Sequence, residues 1–138
     1  MKLLTLTTLL TALQLTTNAS ALGINCQGST ICSSYKGTAG WLKSFIDGID
    51  GNRWYNNGQK IACYNGSEVG ANCAFFQKMP GGGGWGWQAK YLAHYIPEHG
   101  CSACGSVPMD FPNGNDVGKG ELTFNVVSSA CRSKPGLC

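Results

Sequence analysis

Cysteines offer the most conspicuous chemistry in this sequence. Cys101-Ser102-Ala103-Cys104 is a Cys-x-x-Cys pair, and Cys26 and Cys32 form another pair six residues apart. A Cys-x-x-Cys in a cytosolic βαβ setting supports thiol–disulfide exchange, and two such pairs can hold zinc. Neither reading fits here, because no second Cys-x-x-Cys exists and the chain carries the marks of export described below. A pair three residues apart facing a pair six apart suggests instead two parallel staples between the beginning and the late middle of the chain. With Cys63, Cys73, Cys131 and Cys138 the eight cysteines read as a disulfide framework, for which the count alone leaves about a hundred connectivities open.

One other cluster has the residue types for catalysis. His94, Glu98 and His99 could supply the general acid and base of a small extracellular hydrolase. His94 lies on the second helix and His99 at its end, so packing and capping account for both histidines. No nucleophile motif, acid dyad or phosphate loop occurs elsewhere, so the sequence assigns no catalytic residue, cofactor or metal.

The elements that must position these residues are short. Trp41, Leu42, Phe45, Ile46 and Ile49 fall on one face of a 3.6-residue period, which predicts a helix capped by Thr38 and ended by Gly48 and Gly51. Gly51 to Gln59 reads as loop. Lys60 to Tyr64 and Asn72 to Lys78 read as a hairpin around a turn-rich connector. Met79 to Gly84, with Pro80 and four consecutive glycines, reads as irregular. Ala89, Leu92, Ala93 and Ile96 mark a second helix that should stop near Ile96, since Pro97 disfavours helical geometry in the residue before it. Val107 to Gly120 reads as a connector. Glu121 to Val127 alternates Leu122, Phe124 and Val126 against Thr123, Asn125 and Val127, the clearest strand in the chain. The expected class is α+β: an antiparallel sheet with two helices on one face.

Lys2, the apolar run from Leu3 to Leu15 and Ala19-Ser20-Ala21 form a signal peptide over residues 1–21. Residues 22–138 then make one domain, with 132–138 as a polar tail. No segment reaches the ~20 apolar residues needed to span a bilayer. The chain carries a net charge of +3, too small and too scattered for nucleic acid. Asn65-Gly66-Ser67 is an N-glycosylation acceptor. A secreted monomer follows from these features, without stable membrane insertion.

Three stretches are similar to one known family. Leu22-Gly23-Ile24-Asn25-Cys26 with Cys32, His99 to Ser106, and Gly114 to Thr123 with Val126 and Cys131 resemble the corn-smut viral killer toxin and its fungal relatives. The resemblance runs from residue 22 to Cys131, while Ser33 to Pro97 agrees in pattern alone. It implies an α/β sandwich in which two antiparallel helices cross an antiparallel sheet. It further implies the pairs Cys26–Cys101, Cys32–Cys104 and Cys63–Cys131, with Cys73 and Cys138 left to each other. The family carries two cysteines in its helices that are absent here. The resemblance implies growth inhibition by a non-catalytic block of calcium channels, with a cell-surface protein of a competing or host cell as partner. A lysine just before the hairpin cysteine matters for that activity. Here Ile61 stands two before Cys63 and the lysine is Lys60; in a regular strand that one-residue slip turns the side chain to the other face.

Lys60, Lys78 and Lys119 are therefore the candidate cationic contacts, with Lys90 a fourth dispersed lysine. Trp87 is a candidate for contact with a partner or a membrane interface. Trp85, in register with Ala89 and Leu92, is expected to cover the core. The alternatives are a secreted effector or cell-wall binding module on the same scaffold, or the histidine hydrolase.

Overall fold

A computed structural model describes residues 22–66, 70–131 and 136–138. The signal peptide expected over residues 1–21 lies outside them, as does Ser67 of the glycosylation acceptor.

The chain enters extended, bridges Asn25 to Ser106, and makes a 3-10 turn at Thr30–Tyr35. Helix α1 follows at Thr38–Asp47, then strands β1 (Trp54–Asn56), β2 (Lys60–Asn65), β3 (Ala71–Gln77) and β4 (Gly83–Trp85). Helices α2 (Gly86–Ala93) and α3 (Tyr95–Glu98) lead to β5 (Gly105–Pro108), β6 (Glu121–Val127) and β7 (Gly136–Leu137). The main sheet is antiparallel in the order β5-β6-β3-β2-β7, and β1 pairs with β4 in a separate two-stranded ribbon. The α+β sandwich expected from the sequence is present.

The two faces of the sheet differ because strand side chains alternate. Ala62, Ala74, Phe76, Val107, Leu122 and Phe124 point toward the helices and pack with Leu42, Ile46, Leu92 and Ile96. Each fully buried Leu, Ile or Phe in this layer contributes about 1.5–3 kcal/mol. One polar group sits in the same layer: Asn72 is wholly buried, and its Nδ2 donates to Thr38 Oγ1 at 2.8 Å and to the Ala103 carbonyl at 2.9 Å. It ties β3 to the start of α1 and to the loop between the late cysteines.

Several local expectations change. The residue preceding α1 is Gly37 at φ 85°, while Thr38 is the first helical residue and donates to the Tyr35 carbonyl. Trp41 stands at the edge of the apolar face and is exposed. The second helix does not stop at Ile96. It breaks at His94, and Pro97 lies inside α3, near its start, where a missing N–H costs nothing. The stretches read as loop before Lys60 and as irregular before Trp85 hold β1 and β4, and the connector beginning at Val107 starts as β5.

The disulfides give one agreement and one correction. Cys26 joins Cys101 and Cys32 joins Cys104, closing loops with separations of 75 and 72 residues. Cys63 does not join Cys131, nor Cys73 Cys138. Cys63 and Cys73 face each other across the hairpin at a Cα–Cα distance of 4.1 Å and join there, leaving Cys131 to Cys138. Directly opposed antiparallel residues already sit at bonding distance, so the hairpin needs no reach to the tail. The two bridges stay neighbours, with Cys138 Sγ 3.8 Å from Cys63 Sγ. That proximity explains why Cys63, Cys131 and Cys138 cluster like a metal site; as disulfide sulfurs they offer no thiolate.

Candidate functional site

Antiparallel order brings the candidate lysines together. Lys60 opens β2, Lys78 follows the end of β3, and Lys119 precedes the start of β6. Because β2, β3 and β6 are neighbours running alternately, these three backbone positions share one end of the sheet. Lys78 and Lys119 are exposed, and Lys78 adopts a left-handed φ of 54° that turns the chain out of β3. Lys90 is elsewhere occupied: its ammonium donates to the Ile49 carbonyl at 3.1 Å.

The register of the hairpin decides which way Lys60 points. Cys63 is opposite Cys73, but Lys60 is opposite Phe75, with a shift between Lys60 and Ala62. Three steps along β2 thus match two along β3, the signature of a β-bulge with one extra residue. Ile61 and Ala62 both join the helix-side core. Phe75 and Cys73 share the helix-free face, so Lys60 shares it with Cys63. Its Nζ donates to Ser129 Oγ at 3.1 Å, where the chain after β6 crosses that face. The one-residue slip that should have turned Lys60 away is cancelled by the bulge.

A groove of about 280 Å3 runs along the same face beside Lys78, lined by Gln77, Ser106, Glu121, Thr123 and Asn125. Glu121 is only 5% exposed. Desolvation holds its carboxyl above the ordinary value of 4.5, while the charge of Lys78 and the hydroxyls of Thr123 and Ser106 pull it back. A folded-state pKa above the unfolded one means that folding favours the protonated acid. That contribution is complete below pH 4.5 and is lost as pH rises through the folded value. Glu121→Gln is therefore expected to flatten the decline in unfolding free energy as pH rises above 4.5, followed by denaturant titration. Lys78→Ala should steepen it. Equal pH slopes in wild type and Glu121→Gln would contradict the assignment.

Trp85 does not cover the core. It precedes α2, is 43% exposed, and meets Trp54 edge-on at 5.2 Å across the β1–β4 ribbon. Trp87 is 56% exposed in the first turn of α2. Asn65 ends β2 and is exposed. His94 Nδ1 and Glu98 Oε2 lie 2.9 Å apart on the outer side of the α2–α3 break, with the His94 ring tilted against that of Tyr95. His99 and Glu98 together line a shallow recess with Ile24, Tyr95 and Phe111. The His94–Glu98 pair is open to water. Sequence reasoning overlooked Glu121 and Tyr91, since a glutamate opening a strand and a tyrosine on a helix carry no motif.

The pattern described as Kp4 matches residues 9–128. The chain belongs to the Kp4 family. The KP4 killer toxin of Ustilago maydis P4 virus is 30% identical to it over 117 residues, which cover 79% of this chain and 83% of that protein. The protein is thus killer-toxin-like. Both long-range staples, the hairpin bridge and Lys60 fall inside the Kp4 match, and the Cys131–Cys138 loop lies beyond it.

Proposed function

We propose that this killer-toxin-like protein is exported and arrests the growth of competing or host cells by blocking a calcium channel at their surface, without catalysis. The observation that carries the reading is the bulge at Ile61. It gives Lys60 the face that a lysine two residues before Cys63 would have in a regular strand, the position implied by the family resemblance. Lys78 and Lys119 flank it at the same sheet end. A cationic side chain on a rigid sheet suits an acid-lined channel entrance, where rings of carboxylates attract cations. Four disulfides fit an oxidising, extracellular setting, and among the described residues no helix is long and apolar enough to cross a membrane. The protein acts as a monomer on a cell-surface protein, and needs neither nucleic acid nor cofactor.

The test is a growth assay on sensitive fungal cells or plant roots with purified protein. Inhibition relieved by added calcium is expected, and replacing both His94 and His99 by alanine should leave it unchanged. Inhibition that calcium does not relieve would overturn the blockade, and loss of inhibition with the histidines would return the hydrolase.

A further inference from the structure

The exposed aromatics of α2 border a second groove that the lysine face does not use. Trp87, Gln88, Tyr91 and Leu92 form one wall and Met109, Asp110, Phe111 and Asn113 the other, around a volume of about 220 Å3. Trp87 and Tyr91 are four residues apart and 56% and 53% exposed, which places them as neighbours about 5–6 Å apart on one helix face. The opposite wall is held in place: Tyr95 meets Tyr91 and Phe111 edge-on, at 5.9 and 4.9 Å. The loop itself closes through Phe111 N–H to the Pro108 carbonyl and Gly114 N–H to the Asp110 carbonyl.

Three polar side chains rim this groove with hydrogen-bonding capacity to spare. Gln88 uses its amide oxygen to accept from Trp85 N–H at 2.7 Å, leaving its NH2 group for another partner. Among the described residues, neither the Asp110 carboxylate nor the Asn113 amide has a side-chain hydrogen-bond or ion-pair partner. Aromatic platforms beside a few convergent donors and acceptors make a site for a ligand with both apolar faces and polar edges. A pyranose ring has that character, with C–H faces to lie on an aromatic ring and equatorial hydroxyls to meet amide and carboxylate groups.

The geometry points to a subsite for a neutral, β-1,4-linked N-acetylhexosamine chain. Such a chain is a flat ribbon that presents ring after ring, matching two platforms one helical turn apart. The groove is smaller than the roughly 300–1,000 Å3 of sites that engulf a drug-sized ligand, so it seats one ring while the chain continues over the surface. Leu92 and Met109 supply an apolar floor for an acetamido methyl. Asp110 at the rim disfavours acidic polysaccharides. This site does not depend on the channel reading.

Titration of the purified, oxidised protein with chitohexaose, followed by tryptophan fluorescence and calorimetry, tests the assignment. Trp87→Ala with Tyr91→Ala should weaken binding by about tenfold or more, and Asp110→Ala with Asn113→Ala by a smaller factor. Trp41→Ala, an equally exposed tryptophan on α1, should leave it unchanged. All these positions are exposed, and unchanged circular dichroism checks that each variant folds. No binding of chitohexaose, equal binding by the Trp87/Tyr91 double variant, or stronger binding of mannan, β-1,3-glucan oligomers or choline would overturn it.

Discussion

Removing both long-range staples, with Cys26, Cys32, Cys101 and Cys104 replaced by serine, is expected to lower the unfolding free energy by roughly 4 kcal/mol or more, and replacing Cys63 and Cys73 together by roughly 3 kcal/mol. The difference comes from loop length. The two staples together close a loop spanning separations of 75 and 72 residues, and the hairpin bridge one of 10; in the chain-entropy model a longer closed loop restricts the unfolded chain more. The native side adds to the contrast. Without its bridge to Cys104, the 3-10 turn at Thr30–Tyr35 would be tied to the rest of the fold by hydrogen bonds such as Ser29 N–H to Asn125 Oδ1 and Tyr35 O–H to the Gly70 carbonyl. The hairpin keeps its full strand pairing when Cys63 and Cys73 are lost. Denaturant titration of the two variants measures both values; a larger loss from the hairpin pair would contradict the two-staple architecture.

Lys60→Ala is expected to reduce growth inhibition by at least roughly tenfold, a loss of ~1.4 kcal/mol in target binding. Its stability should stay within ~1 kcal/mol of wild type, because the one bond lost in the fold is the exposed contact to Ser129. Lys60→Arg, which keeps the charge but not the shape of the ammonium, should retain part of the activity. Lys78→Ala and Lys119→Ala should each cost less, since they set the field around the contact rather than make it. Lys90→Ala is the control, its ammonium being committed to the Ile49 carbonyl. Dose–response curves for the five proteins, normalised to folded protein, order these effects.

What the sequence reveals follows from how local its signals are. Leu122, Phe124 and Val126 announce β6 because the strand is long enough to show its period, and Leu42, Ile46, Leu92 and Ile96 do the same for the helices. β4 is hidden because Gly83 and Gly84 have no side chains to alternate, and β1, β5 and β7 are too short to establish a period. The spacing of Cys26, Cys32, Cys101 and Cys104 fits two bridges laid side by side. The choice among Cys63, Cys73, Cys131 and Cys138 depends on strand register, set at the cysteines by the turn between β2 and β3 and changed beyond them by a bulge at Ile61, neither with any mark in residue type. The same bulge decides the face of Lys60, so the residue is legible in the sequence while its direction is not. Trp85 follows the helical period of α2 but precedes the helix, where the extended backbone carries its ring outward to Trp54.

Calcium uptake by sensitive cells, measured with radiolabelled calcium during exposure to the protein, tests the central claim most directly. Wild-type protein should depress influx at the same concentrations that slow growth, and Lys60→Ala should leave influx near that of untreated cells. Full growth inhibition by wild-type protein with undiminished calcium influx would contradict the account.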